Sequence, residues 1–183
     1  MNRHIPYYIL IGLLCSITMN AQQIIKVDKR IFKNKDADKM NLVVFIFLSP
    51  DCPLCKDYVP TINSLMANYD SLKVEFNTVF SGEMEEDTIK KFVSKFNLKL
   101  NVLIDKDFIL SKKFGATITP EAVIVSNKMK VIYLGAIDNW VFELGRKRNV
   151  ITQNFLIESI NSSLKGEKIK LNKTQAIGCF IEY

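Results

Sequence analysis

Hydrophobic and polar positions follow two different periods along the chain, and the two periods alternate. Leu42–Leu48 is an uninterrupted apolar run that ends at Ser49-Pro50, which predicts a buried central strand. Residues 72–80 alternate strictly between apolar and polar side chains, which predicts a second strand. Weaker patterns predict a first edge strand within 23–32, a short strand at 98–104, and a hairpin formed by 118–125 and 129–134.

Helical spacing fills the segments between these strands. The first predicted helix runs from Pro53 to Tyr69 and is expected to kink at Pro60. The second, 83–96, opens with acidic and closes with basic residues, which matches the helix dipole and needs no functional explanation. Strands alternating with helices, then a hairpin and a last helix, predict a three-layer α/β fold. The other predicted helices are 107–114, ended by Gly115, and 150–164, ended by Lys165-Gly166.

The first residues differ in pattern from the rest. Arg3 and His4 precede an almost wholly apolar stretch, 5–19, and small or polar residues follow it. This pattern predicts a secretory signal peptide over 1–21, cleaved after Ala21, and an exported, periplasmic protein. The apolar stretch is too short to span a membrane, so we expect no integral membrane segment in the mature chain. Cys15 raises the alternative of a lipoprotein anchor, which the bulky residue before it disfavours.

The amino-acid composition limits the classes of function that the chain can have. With 183 residues, 48% of them hydrophobic and 24% charged, the chain predicts one globular domain over 22–183 with a C-terminal tail over about 166–183. His4 is the one histidine in the sequence, and it lies within the predicted signal peptide. The mature chain is therefore expected to contain no histidine, which excludes Ser-His catalysis, Cys-His catalysis and histidine-ligated metals. The net charge of +6 comes from scattered lysines, without the interleaved aromatic side chains that nucleic-acid binding requires. We expect no cofactor and no resident metal.

Two cysteines stand where the central strand stops. Cys52 and Cys55 form a C-x-x-C motif, and Pro53 suits a first helical position, so Cys52 falls at a helix N-terminus. The free N–H groups, the helix dipole and the nearby Lys56 stabilise a thiolate, so Cys52 is predicted to be a nucleophile with a lowered pKa. Cys55, one turn on and more buried, is predicted to attack the mixed disulfide that Cys52 forms. Half a zinc site and a purely structural disulfide are the alternatives.

Together these features resemble the thioredoxin-like superfamily over nearly the whole mature chain. The match consists of the strand ending at the Cys-Pro-Leu-Cys motif, Pro60, Thr119-Pro120 before a late strand, and the closing hairpin and helix. The resemblance implies an α/β/α sandwich with a central mixed sheet. It also implies a cis peptide bond before Pro120, packed against the cysteines, with Thr119 offering its backbone to an extended substrate. Pro53 and Leu54, between the cysteines, are the other expected substrate-positioning residues.

Within that superfamily the chain looks like the exported redoxin branch, the AhpC/TSA or peroxiredoxin-like family. The 83–96 helix lengthens the segment from the cysteines to Pro120, as in that branch, and residues 135–139 and 174–179 resemble its recurring segments. Peroxiredoxins carry Pro-x-x-x-Thr/Ser-x-x-Cys and a supporting arginine. Here Ser49 fits the hydroxyl position, but Phe45 replaces the proline. Neither Arg146 nor Arg148 lies at an evident equivalent of the arginine.

Two further residues leave alternatives open. The buried acidic residue of thioredoxin has no counterpart in the central strand, and Glu121 is the candidate proton acceptor, with a solvated strand-end carboxylate as the alternative. Cys179 is either a small buried apolar residue, an intermolecular cross-link, or a third redox thiol that the tail brings back to Cys52. Gly178 permits a close backbone approach there. The basic cluster at 146–148 is either a partner contact or an exposed loop.

These observations favour an exported thiol-disulfide oxidoreductase. Its partners would be protein or small-molecule disulfides and dithiols, with an upstream thiol reductant to restore the dithiol. The alternative is a thiol peroxidase, in which Cys52 reduces a hydroperoxide and Cys55 or Cys179 resolves the sulfenic acid. A second alternative is a non-catalytic binding module with the same fold.

Overall fold

A computed structural model describes residues 24–27, 42–69 and 74–183. The predicted signal peptide, Cys15 and His4 lie outside the described residues, as does most of the predicted edge strand within 23–32. In chain order the elements are β1 (Ile24–Lys26), β2 (Leu42–Leu48), α1 (Pro53–Tyr69), β3 (Val74–Ser81), α2 (Glu86–Lys95), β4 (Asn101–Asp105), α3 (Ile109–Phe114), β5 (Ile118–Thr119), β6 (Glu121–Ser126), β7 (Val131–Gly135), β8 (Val141–Glu143), β9 (Arg146–Lys147), α4 (Phe155–Leu164) and β10 (Cys179–Phe180).

Six strands form a mixed central sheet in the order β1-β4-β3-β2-β6-β7. The first four are parallel, whereas β6 pairs antiparallel with both β2 and β7. The β2 strand is buried on both faces, as its uninterrupted apolar sequence predicts. Its even-numbered side chains pack with α1, α2 and α4, and its odd-numbered side chains pack with α3 and the tail. The predicted three-layer α/β/α sandwich is confirmed.

Most predicted elements are present, but three helices begin later than expected. The α1 helix continues through Pro60, and α2 begins at Glu86 rather than at 83. The α3 helix begins at Ile109 because the buried Asp105 carboxylate accepts hydrogen bonds from the backbone N–H groups of Leu110 and Ser111. It ends at Gly115, whose φ is 74°, as predicted.

The α4 helix begins at Phe155, five residues later than the apolar spacing predicts. The cause is a side chain from a distant loop. The Asn139 Oδ1 atom accepts hydrogen bonds from the backbone N–H groups of Thr152 and Gln153, at 3.0 and 3.2 Å, and so holds 150–154 out of the helix. Within the described ranges, no helix is long and apolar enough to cross a membrane.

After α4 the tail returns to the sheet. Leu134 N–H donates to Asn172 O and Thr174 N–H donates to Leu134 O, both at 3.1 Å, so this part of the tail lies along the edge of β7. The Thr174 hydroxyl also accepts from Ala136 N–H at 2.9 Å and lies 2.7 Å from the Tyr133 hydroxyl. These contacts hold Thr174 against β7, and the residues after it extend to the two motif cysteines.

Candidate redox site

The end of β2 and the start of α1 position the two motif cysteines. Cys52 immediately precedes α1, and its N–H donates to Ser49 O at 3.2 Å. Cys55 lies in the first turn, where its Sγ accepts a hydrogen bond from Ser49 N–H at 3.3 Å. Both are buried, with Cys52 only 1% exposed. Between them Pro53 is exposed and Leu54 packs into the core.

The Thr119-Pro120 segment lies against these cysteines. The peptide bond before Pro120 is cis, as the resemblance implied. Thr119 O lies 3.1 Å from Cys52 Sγ and accepts a hydrogen bond from the thiol form of Cys52. The two residues therefore lie at the site to which the sequence assigned them.

The third cysteine reaches the same place from the C-terminus. Cys179 Sγ lies 2.7 Å from Cys52 Sγ, and all three thiols are free. The β10 strand pairs antiparallel with β5, with Cys179 opposite Thr119, and the Thr119 hydroxyl donates to Cys179 O at 3.3 Å. A Cβ atom on Gly178 would collide with Thr119 O, so the expected close backbone approach is confirmed. Of the three roles left open for Cys179, the geometry corresponds to the one in which the tail returns to Cys52.

Ionisation differs sharply among the three thiols. The pKa of Cys52 is lowered to about 5, chiefly by a hydrogen bond from the Cys55 thiol and then by one from Cys179, against the opposing effect of burial. Backbone N–H groups of Cys179 and Cys55 add to the lowering, the latter being the helix N-terminal contribution that the sequence predicted. Lys56, the other predicted cause, is exposed.

The pKa values of Cys55 and Cys179 shift in the opposite direction, upward. Burial, and then the hydrogen bond to Cys52, hold the pKa of Cys55 well above its usual range. The same two causes raise the pKa of Cys179 to about 11. At neutral pH the cluster therefore contains one thiolate, on Cys52, and two protonated neighbours that donate to it.

Glu121 is buried, so the alternative of a solvated strand-end carboxylate is wrong. Its Oε2 accepts hydrogen bonds from the backbone N–H groups of Thr117 and Ile118, at 2.8 and 3.3 Å. Burial raises its pKa, and the two N–H groups oppose that rise. The Glu121 carboxylate thus holds the start of β5 in place, and β5 is the strand that pairs with Cys179.

A cavity of about 490 Å³ opens beside Cys52. Its lining includes Cys179 and Phe180 from the tail, together with Ser81 and Met84. Among the described residues, no group of three or more His, Cys, Asp or Glu side chains is placed to hold a metal ion. The cavity thus lies beside Cys52 while the tail stays docked, although the Cys52 side chain itself is only 1% exposed.

Several residues that hold the tail were not identified from the sequence. The Tyr183 hydroxyl donates to Ala116 O, and its ring lies 5.3 Å from that of Phe108. Ile181 packs against the sheet face that α3 covers. The one available signal was an apolar and aromatic chain end after a basic stretch.

The basic cluster at 146–148 is exposed, and both arginine guanidinium groups lie 5.0 Å from the centre of the Phe142 ring.

Comparisons with known proteins identify the family and the fold. The model of the AhpC/TSA family matches residues 16–134. Thiol-disulfide oxidoreductase ResA of Bacillus thuringiensis subsp. konkukian (strain 97-27) is 28% identical over 107 residues, which cover 58% of this chain and 58% of ResA. The chain thus aligns with little more than half the length of this curated relative.

Two solved structures share the fold over most of their length. An uncharacterized conserved protein from Geobacillus kaustophilus has a TM-score of 0.68 at 20% identity, covering 81% of this chain and 80% of its own. A hypothetical protein from Sinorhizobium meliloti 1021 has a TM-score of 0.67 at 18% identity, covering 79% and 81%. Because the family model covers more than half of the sequence, the chain belongs to the AhpC/TSA family of the thioredoxin-like superfamily.

Proposed function

We propose that the protein is a thiol-disulfide oxidoreductase that works through the Cys52/Cys55 pair in an exported location. The observation that carries the proposal is the geometry at the start of α1, where Cys52 and the buried Cys55 lie one turn apart and Thr119 O lies 3.1 Å from Cys52 Sγ. The lowered pKa of Cys52 and the raised pKa of Cys55 support it. The likeness to thiol-disulfide oxidoreductase ResA supports it. Export rests on the signal-peptide pattern of residues 1–21.

The reaction follows from the two pKa shifts. The Cys52 thiolate attacks one sulfur of a substrate disulfide, forms a mixed disulfide, and releases the other sulfur as a thiolate. The negative charge on Cys52 is then gone, which removes one cause of the raised pKa of Cys55. Cys55 loses its proton and attacks Cys52 Sγ, so the second substrate thiolate leaves and a Cys52–Cys55 disulfide remains. Two electrons pass to the substrate, and an upstream thiol reductant restores the dithiol.

The surrounding residues have supporting roles in this proposal. Thr119 and Pro120 position the substrate chain against Cys52, and Pro53 offers an exposed surface beside it. Leu54 is buried, so its contribution is to fix the helix start rather than to touch the substrate. Glu121 keeps the role of candidate proton acceptor for Cys55 that the sequence assigned to it, although its carboxylate binds Thr117 N–H and Ile118 N–H.

A thiol peroxidase is the second candidate, and the cavity beside Cys52 favours it. There the Cys52 thiolate and a proton convert a hydroperoxide to an alcohol or water, leaving a sulfenic acid on Cys52. The thiol of Cys55 or Cys179 condenses with it to a disulfide and releases water. Phe45 at the proline position and the exposure of Arg146 and Arg148 count against this reaction.

Rapid-mixing kinetics of the fully reduced protein test both candidates. We expect glutathione disulfide to oxidise the wild type to a Cys52–Cys55 disulfide, and hydrogen peroxide to react no faster than with a free thiol of the same pKa. The Cys52→Ser variant, with its fold checked by circular dichroism, should lose both reactions. Full activity of that variant would exclude both candidates, and rapid peroxide reduction would favour the second.

A further inference from the structure

We propose that strand β10 is an internal substrate of this site: Cys179 exchanges a disulfide with Cys52, and an extended polypeptide takes the place of the strand during turnover. The inference rests on the proposed oxidoreductase function and names its substrate class. That class is a polypeptide disulfide presented as an extended strand, with a glycine immediately before its cysteine.

The backbone of the tail shows how such a strand binds. Cys179 and Phe180 pair antiparallel with Thr119 and Ile118, and Ile181 N–H donates to Thr117 O at 2.9 Å. Main-chain hydrogen bonds of this kind supply affinity for any extended sequence. The register places the cysteine of the bound strand opposite Thr119, with its sulfur at Cys52.

The side chains of the tail define which sequences fit. Any residue larger than glycine at 178 collides with the Thr119 carbonyl group. Phe180 is 80% exposed, so the position after the cysteine is free, whereas Ile181 is 9% exposed and packs into the core. The preferred strand is therefore glycine, cysteine, any residue, and then an apolar residue.

The tail must also leave for a polypeptide to react. With β10 docked, Cys52 is only 1% exposed, and Cys179 covers its sulfur. Opening breaks the two-residue pairing of β10 and, beyond it, the contacts of Ile181 and Tyr183. The Thr174 contacts lie before the segment that moves, so the tail can open without loss of its attachment to β7.

The exchange is balanced without any further reactant. After Cys52 has formed a mixed disulfide with a substrate, the deprotonated Cys179 thiol attacks Cys52 Sγ and releases the substrate thiolate, which takes up the proton. Cys55 then attacks Cys52 Sγ, the Cys52–Cys179 bond breaks, and Cys179 returns to the thiol. The final state is the Cys52–Cys55 disulfide of the proposed function.

Mass mapping tests the exchange directly. The Cys55→Ser variant, treated with glutathione disulfide, should yield a Cys52–Cys179 disulfide within one chain. In the matched control, Cys55→Ser with Cys179→Ser, glutathione should remain attached to Cys52. Stable glutathione adducts on Cys52 in both variants would overturn the inference while leaving the proposed function intact. Absence of any Cys52 reaction in both would contradict the two together.

A peptide with the sequence of residues 176–183, its cysteine joined by a disulfide to thionitrobenzoate, tests the substrate class. Release of coloured thionitrobenzoate reports attack by Cys52. Gly178→Val in the protein should displace the tail and accelerate this release by on the order of tenfold, whereas Phe180→Ala, in the same strand, should not. A peptide with valine in place of its glycine should react more slowly than the parent peptide. Equal rates for the two peptides, or no acceleration by Gly178→Val, would refute the proposal.

Discussion

Cys52 and Cys179 are 127 residues apart in the sequence, and their sulfur atoms lie 2.7 Å apart in the fold. Cys55, one helical turn beyond Cys52, completes the cluster. A protonated thiol on each side donates toward the same sulfur, so the nucleophile is ionised by its own potential resolving partners. This relationship makes the ionisation of Cys52 sensitive to either neighbour.

Removing a thiol donor should raise the pKa of Cys52. We expect Cys55→Ala to raise it more than Cys179→Ala, because the hydrogen bond from Cys55 is the largest cause of the lowering. Thiolate absorbance in the ultraviolet, followed against pH, measures the shift. A Cys52 pKa that stays at about 5 in both variants would show that the neighbouring thiols do not cause the lowering.

The same lowering should make the stability of the reduced protein depend on pH. Cys52 has a folded-state pKa of about 5 against an ordinary value of 9.0, so the folded thiolate contributes stability that is fully present above pH 9. That contribution is lost as pH falls through 5. Denaturant unfolding should therefore show the free-energy difference between reduced wild type and Cys52→Ala widening from pH 5 to pH 8. A constant difference would contradict the assignment.

Glu121→Gln should leave the fold intact and change its pH dependence. The glutamine side-chain oxygen can still accept from the Thr117 and Ile118 N–H groups. Burial raises the pKa of Glu121 above the ordinary carboxyl value. Ionisation of this buried side chain therefore costs the wild type stability as the pH rises through the raised pKa. The variant should gain stability relative to the wild type as the pH rises above 4.5, the ordinary pKa of the carboxyl group. Glu121→Ala, which leaves two N–H groups unsatisfied, should cost about 1–3 kcal/mol per buried group left unpaired.

Tyr58→Phe should destabilise the protein through Asp138. The Tyr58 hydroxyl donates to Asp138 Oδ1 at 2.7 Å, and Asp138 is only 3% exposed. Loss of this donor should lower the free energy of unfolding by about 1–3 kcal/mol. Tyr69→Phe is the matched control, because its partner Asn161 is a neutral, less buried amide. Denaturant unfolding should show the larger loss for Tyr58→Phe, and equal losses would contradict this account.

Asp105→Ala should loosen the segment that leads to β5. Its carboxylate accepts from Leu110 N–H, Ser111 N–H and the hydroxyls of Ser81 and Ser111. Removing it leaves buried donors unpaired, for a loss of about 3–5 kcal/mol. Asp107→Ala, two residues on and exposed, should change stability by less than about 0.5 kcal/mol. Thermal unfolding of the two variants gives the comparison, and similar midpoints would contradict it.

Local signals were sufficient to predict the parts of the site that are close in sequence. The apolar run of β2, its Ser-Pro end and Pro53 predicted a strand, turn and helix around the cysteines, and the structure has them. Gly115 ended α3 because a glycine readily adopts its positive φ.

Features set by distant contacts were not predicted. No local pattern indicates that Asn139 holds 150–154 out of α4, or that Glu121 turns inward to bind the backbone before Pro120. The pairing of β10 with β5 depends on a chain end returning across more than fifty residues. Gly178 and Cys179 suggested a close approach, but the sequence did not specify Thr119 as the opposite residue.

The attachment of Thr174 limits how far the Cys179 thiol can move from Cys52. Thr174 is fixed to β7 and to the Tyr133 hydroxyl, and Cys179 is the fifth residue after it. Even fully extended, five residues span at most about 18 Å. A released Cys179 thus remains tethered near the site, at an effective concentration in roughly the millimolar range. A free thiol in the surroundings would have to reach a similar concentration to intercept Cys52 before the tail returns.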